Sequence, residues 1–188
     1  MSSIKKFIEK KLKLKVNDEK SKVAKSDKVK FLGMTIVNGF ISISKAALNK
    51  AMEKVKELTP RGSHKPTEKA MAEINRWYNG WALYFSMTQY PAQLRAIESH
   101  LRRRLRARFV KQQKKPKHLV NKLTKLGVNK KMVSKTVYSN KGTWRLSHTR
   151  TVEQAYSNKW FRKQMNQSIF SDQDLPHWVS LKEWVKLT

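Results

Sequence analysis

The sequence predicts a mainly α protein with a small β-hairpin, in which an N-terminal α/β portion leads into an antiparallel helical bundle. Three observations carry this. Asn38-Gly39 lies between two apolar runs, KVKFLGMTIV and FISIS; after Ser44 the apolar residues recur at helical rather than alternating spacing; and no internal repeat or low-complexity tract breaks the chain. The boundaries that follow are residues 1–43 for the mixed portion, 44–139 for the helices, and 140–188 for a basic, aromatic extension.

In order along the chain, Ile4, Phe7, Ile8 and Leu12 have helical spacing and predict a packed first helix, with KLKVN as a short strand before the turn-rich NDEKS. Asn38-Gly39 accepts positive φ at both central turn positions and so predicts a hairpin, with an exposed sheet edge around Phe31 to Val37. Ser44 is an N-cap for a helix carrying Leu48, Met52, Val55 and Leu58, which TPRG stops; residues 59–66 read as a linker.

Pro66 opens the next helix, expected to run to about Met87, with Met71, Ile74, Tyr78, Trp81 and Phe85 in one buried sector. Gly80 lies outside that sector, where a mid-helix glycine costs roughly 1 kcal/mol against alanine unless something packs closely on it. Pro91 begins a third helix with Leu94, Ile97, Leu101, Leu105 and Phe109 inward. Arg95, Arg102 and Arg106, with Arg103 beyond them, then form a basic stripe on its exposed side, and Arg108 projects into the apolar sector, either because the helix frays or because the guanidinium snorkels outward.

After Pro116, HLVNKLTKLG predicts a short helix capped by Gly127, and Asn129 caps another with Met132, Val133, Thr136 and Val137 inward. Asn140-Lys141-Gly142 is a turn. Thr151 and Gln154 have capping-box spacing, which predicts one substantial helix carrying Val152, Tyr156 and Trp160, and a short aromatic helix with Trp178 and Trp184 is expected at the end.

The charge is lopsided. The 188 residues hold 42 Lys/Arg against 13 Asp/Glu, a formal net charge of +29. From Ser99 to Val152 no acid occurs at all, and Arg102, Arg103, Arg104, Arg106 and Arg108 are followed closely by Lys111, Lys114, Lys115 and Lys117. A generic solvated helix face would carry Glu at i,i+4, so the block points to a polyanionic partner, most naturally nucleic acid. Trp144 and Arg145, with Arg150 close by, could stack on an unpaired base and clamp phosphate; a tryptophan there is also an ordinary core anchor.

Self-contained catalysis is not written in the chain. Asp18, Glu19 and Asp27 flank a turn, Asp172 and Asp174 sit near Pro176, and His64, His100, His118, His148 and His177 have no metal-ligand spacing. The absence of cysteine excludes disulfides, thiolate metal sites and a cysteine nucleophile, and fits a reducing compartment. No apolar run approaches the roughly 20 residues of a membrane span, so a soluble protein with no membrane partner is expected.

With these motifs assembled, the chain resembles the C-terminal part of a group II intron reverse transcriptase and maturase. LKLKVNDEKSKV followed by KFLGMTI resembles the end of the reverse-transcriptase palm, while INRWYNGWALYF, HLRRRLRARFVKQQKK, LTKLGVNKKM and KGTWRLSHT resemble the maturase-specific thumb and the region after it. The resemblance implies a palm remnant in residues 1–43 and thumb helices in 44–139. These would grip intron RNA or an RNA/DNA template-primer to aid splicing, in a bacterial cytoplasm or organellar matrix. It also implies that Lys20 lies near the polymerase site of a complete palm, and that Mg is needed only with that palm.

No Tyr-x-Asp-Asp occurs here, and the fingers and metal-binding palm strands would lie upstream of Met1. Hence no cofactor and no reverse transcription are expected of the isolated chain. Two other roles stand beside the maturase module: one piece of a split polymerase completed by a separate finger-palm chain, and a general basic nucleic-acid binder.

Overall fold

The computed structural model describes residues 2–21 and 23–165. Helix α1 (Ser2–Lys11) forms as its periodicity predicts, yet it buries no residue, and Ile4, Phe7 and Leu12 stay exposed. Its apolar side is left uncovered among the described residues, and its ties to the chain that follows are Lys5 to Asp18 at 2.5 Å and the Ile8 carbonyl, which accepts from the Leu12 and Leu14 N–H groups. KLKVN is not a strand; Lys13 takes φ 52° and the Leu14 N–H turns back to the Ile8 carbonyl at 3.3 Å, with no strand pairing over the segment.

Three short antiparallel strands follow, in the order β1 (Lys30–Phe31), β2 (Met34–Val37), β3 (Phe40–Ile43). Val37 pairs with Phe40 across Asn38 (φ 51°) and Gly39 (φ 80°), the hairpin expected of that dipeptide. Leu32-Gly33 repeats the device at φ 48° and 80°, splitting what the sequence presents as one apolar run into two strands. Residues 34–37 are therefore the central strand, which corrects the expected open edge over Phe31 to Val37. The outer edge of β3 is also covered. The Ile41 N–H donates to Gln89 Oε1 at 2.8 Å and the Ile43 N–H to Gln93 Oε1 at 2.9 Å, while the Ile41 carbonyl accepts from the Gln89 N–H at 2.7 Å. Two glutamines thus satisfy backbone groups that would otherwise invite a further strand.

Helix α2 (Lys45–Leu58) starts at Ser44, whose hydroxyl accepts from the Ala47 N–H. α3 (Thr67–Tyr84) follows Pro66 and stops three residues short of Met87, because Phe85 leaves the helical path with its ring near Gly33. α4 (Pro91–Gln112) is the longest helix and runs through the middle of the bundle. α5 (Pro116–Lys125) ends before Gly127, at φ 88°, and α6 (Lys130–Val137) begins at Asn129, whose side chain accepts from the Lys131 N–H. On α6 Val133 is buried and Thr136 and Val137 are half-buried, but Met132 is exposed, against expectation.

α7 (Thr143–Leu146) precedes α8 (Arg150–Ala155) and α9 (Asn158–Met165). The single helix expected from Thr151 is thus two. Thr151 lies inside α8, buried and hydrogen-bonded to Thr136, rather than capping it; the chain turns at Tyr156, and Ser157 accepts from the Trp160 N–H to start α9. The predicted Trp178 and Trp184 helix lies outside the described residues.

The main core gathers Val55, Ile74, Tyr78, Ile97, Leu101, Leu105, Leu123, Val133 and Phe161 from six helices. A smaller cluster of Met34, Ile43, Phe85 and Leu94 fixes the sheet to α3 and α4, and Leu48 and Trp81 touch both. The mainly helical architecture with a small antiparallel sheet is the one the periodicities predict.

Candidate nucleic-acid interface

The cations of α4 are built into the fold. Arg106 is 8% exposed and Arg108 1%, and Arg102, Arg103 and Arg104 are half-buried, so the expected solvent-facing stripe reduces to Arg95. Residues 101–110 of α4 are buried or half-buried, so the polar flank they carry faces protein more than water. What it faces is helix ends. Arg104 donates through Nε to Thr59 Oγ1 at 2.6 Å and through a terminal nitrogen to the Thr59 and Lys56 carbonyls at the end of α2. Arg106 Nε donates to the Tyr156 carbonyl at 3.0 Å, where α8 ends. A helix C-terminus offers unpaired carbonyls and partial negative charge, which a guanidinium satisfies together.

Arg108 neither frays nor snorkels. Its guanidinium donates to the Pro60 carbonyl at 3.3 Å and the Lys65 carbonyl at 2.6 Å, fastening the 59–66 linker from inside. Burial lowers the pKa of Arg104, Arg106 and Arg108, and the carbonyl bonds offset part of that desolvation. The acid-free block is also not free of acid partners in space. Glu98, one residue before it, pairs with Arg102 at 3.3 Å in the i,i+4 relation thought absent; Glu153, one residue after it, faces Arg106 at 3.6 Å and His148 at 2.9 Å.

The outward charge lies further along. An open groove of about 860 Å³ runs between the 59–66 linker, the C-terminal end of α4, the start of α5 and the 140–143 turn. Arg61, His64, Lys111, Lys114 and Lys141 line it, and among the described residues no carboxylate does. Val110, Leu119, Val137 and Leu146 supply apolar lining, while Ser63, Gln113, Asn140 and Thr143 add neutral hydrogen-bonding groups. Low-dielectric walls with one sign of charge focus an anion-attracting field. Buried Arg108 holds the linker that carries Arg61 and His64, so the interior cations give the groove its shape and the exposed ones its charge.

Of the residues singled out by sequence, Lys111 and Lys114 meet in the groove. Lys115 and Lys117 are exposed at the start of α5 outside its lining, and Arg145 and Arg150 are exposed near α7 and α8. Lys20 is exposed in the N-terminal turn, where its N–H bonds Asn17 Oδ1. Trp144 is half-buried with the Arg103 guanidinium 4.2 Å over its ring and His100 edge-on at 6.2 Å. Arg61, His64 and Lys141 were not singled out as site residues. For Arg61 and Lys141 the signal was present, in cations placed within loops beside Gly62 and Gly142, where a backbone with open space above it lets a ligand approach.

Among the described residues, no group of three His, Asp or Glu side chains is placed to hold a metal, and no helix is long and apolar enough to cross a membrane.

Fold and groove together define a basic helical module seated on a small sheet. Residues 48–127, from within α2 to just beyond α5, match the family model for the group II intron, maturase-specific domain. These residues are similar to that domain, which supports a likeness to the C-terminal region of a group II intron maturase/reverse transcriptase. No curated protein sequence matches it.

Proposed function

We propose that this maturase module binds intron RNA, with the phosphate backbone held in the carboxylate-free groove by Arg61, Lys111, Lys114 and Lys141. The observation that carries this is the convergence of four cations from three separated stretches of chain on one cavity that no acid lines among the described residues. Folding an intron brings phosphates together, and neutralising them where helices meet lowers that repulsion, which is how such a module aids splicing. The groove reads charge and backbone, so intron specificity comes from additional contacts on either side of it.

Salt titration tests the proposal. Four phosphate contacts give log K against log salt a slope of about −3 to −4, at ~0.7–0.9 per contact. Replacing Arg61, Lys111, Lys114 and Lys141 together by Gln should flatten the slope by about that amount and abolish stimulation of intron splicing. An unchanged slope would overturn the groove assignment. Equal affinity for intron RNA and unrelated RNA at matched salt would instead favour a general binder.

A further inference from the structure

Arg103 differs from the arginines around it on α4. Arg102 has Glu98, Arg106 has Glu153 and the Tyr156 carbonyl, and Arg104 and Arg108 have carbonyls at the end of α2 and in the 59–66 linker. The Arg103 guanidinium instead lies 4.2 Å over the Trp144 ring, a contact that holds the cation in place without supplying an oxygen to its N–H groups. Its Nε is enclosed and accepted by nothing among the described residues, whereas its two terminal nitrogens are neither enclosed nor bonded to protein. The residue as a whole is half-buried. A guanidinium fixed at one side and open at its outer edge is a fork awaiting an acceptor.

The surroundings favour an anion there. His100, one turn earlier on α4, meets the same indole edge-on at 6.2 Å, so the ring that carries Arg103 is itself held. Burial first, then Arg104, Lys56 and Arg103, lower the pKa of His100, which means that three cations act on one imidazole. Negative charge brought among them is attracted by each. Helical side chains lean back over the preceding turn, and there Ala96 and Ser99 are exposed and short, so no long side chain of that face stands over the guanidinium.

Position identifies the anion. Lys141, Gly142 and Thr143 line the basic groove, and Trp144 is the next residue in the chain. A strand that leaves the groove past this turn therefore comes to the open edge of Arg103, and the two non-bridging oxygens of a phosphodiester match the spacing of a guanidinium fork. We infer that Arg103 is a further phosphate-binding residue, taking one phosphodiester of the RNA strand that leaves the groove, with Trp144 as the positioning residue that aims its guanidinium. This rests on the groove reading for the path of the strand, but it has a test of its own.

The experiment uses the full chain and a single-stranded oligouridylate, with affinity followed across salt by fluorescence anisotropy. Arg103→Gln should flatten the slope of log K against log salt by about 0.7, the share of one phosphate on a single strand. Arg103→Lys keeps the charge and should keep the slope, yet bind about tenfold more weakly, because an ammonium cannot fork and one charge-assisted hydrogen bond is lost. Trp144→Leu should behave like Arg103→Lys, and Trp144→Phe, which restores a ring beneath the cation, should recover most of the affinity. Thermal midpoints confirm which variants are folded, and the Lys variant decides alone where the Gln variant is not. Wild-type slope and affinity in folded Arg103→Gln, or wild-type affinity in Arg103→Lys, would overturn the inference. The variant lacking Arg61, Lys111, Lys114 and Lys141 separates the two readings: an unchanged slope there, with Arg103→Gln still losing one contact, removes the groove and leaves the Arg103 site standing.

Discussion

Replacing Arg108 by Met separates an RNA-binding arginine from a structural one. The side chain is 1% exposed and its guanidinium donates to the Pro60 and Lys65 carbonyls. Hydrogen bonds from a charged donor contribute about 1.5–3 kcal/mol each, so the two together are worth about 3–6 kcal/mol before offsets. Removing the guanidinium relieves its desolvation, and carbonyls on a linker with exposed Pro60 and Arg61 regain water. Met retains most of the aliphatic stem. The net loss should be about 2–3 kcal/mol, which at a urea dependence of about 2 kcal/mol/M lowers the unfolding midpoint by roughly 1–1.5 M. The salt slope for RNA should not change, since a buried guanidinium releases no counterion from RNA. A midpoint shifted by less than about 0.3 M, together with a slope shallower by ~0.7–0.9, would refute the structural assignment and return Arg108 to the RNA surface.

Three further outcomes are expected. Glu98→Ala removes the carboxylate that accepts from the Tyr78 hydroxyl at 2.8 Å and faces Arg102, and should cost about 3–5 kcal/mol in chemical denaturation, whereas Glu98→Gln, which can still accept from Tyr78, should cost less. Gly80→Ala should raise stability by up to about 1 kcal/mol, because a Cβ there meets nothing within 4 Å inside a helix; a calorimetric midpoint that falls would contradict it. His100 has its pKa lowered first by burial and then by Arg104, Lys56 and Arg103. The unfolded chain therefore takes up this proton before the folded one does, and stability should decline as pH falls below the ordinary histidine value of about 6.5, levelling off beneath the folded pKa. His100→Gln should weaken that decline, as read from urea midpoints across pH.

Much of the fold was legible because its causes are local. Ser44, Pro91, Asn129 and Gly127 mark helix ends through hydrogen bonds and φ angles that involve only their neighbours, and Asn38-Gly39 marks a turn for the same reason. Leu32-Gly33 escaped because leucine seldom takes φ near 48°; strand pairing on both sides holds it there. Tyr156 escaped likewise, since the end of α8 is set partly by Arg106, fifty residues away. The groove was half legible: Lys111 and Lys114 stood out in a basic run, but Arg61 and Lys141 join them only once the linker and the 140–143 turn meet.

By itself, the sequence determined that the chain is basic, cysteine-free and mainly helical, with a likeness to the maturase-specific domain over residues 48–127, because composition, periodicity and ordered motifs need no tertiary contact to be read. Only the tertiary structure decided which cations meet solvent. Helical phasing puts Arg102, Arg103 and Arg106 on one flank of α4 but says nothing about what lies opposite. Opposite them lie the Trp144 ring, Glu153 and the end of α8, and the neighbouring Arg104 and Arg108 meet the end of α2 and the linker carbonyls. A buried carbonyl needs a donor and a buried guanidinium needs acceptors, so long-range packing turned the most basic run of the chain into internal scaffolding and left the outward charge to the loops and lysines around it.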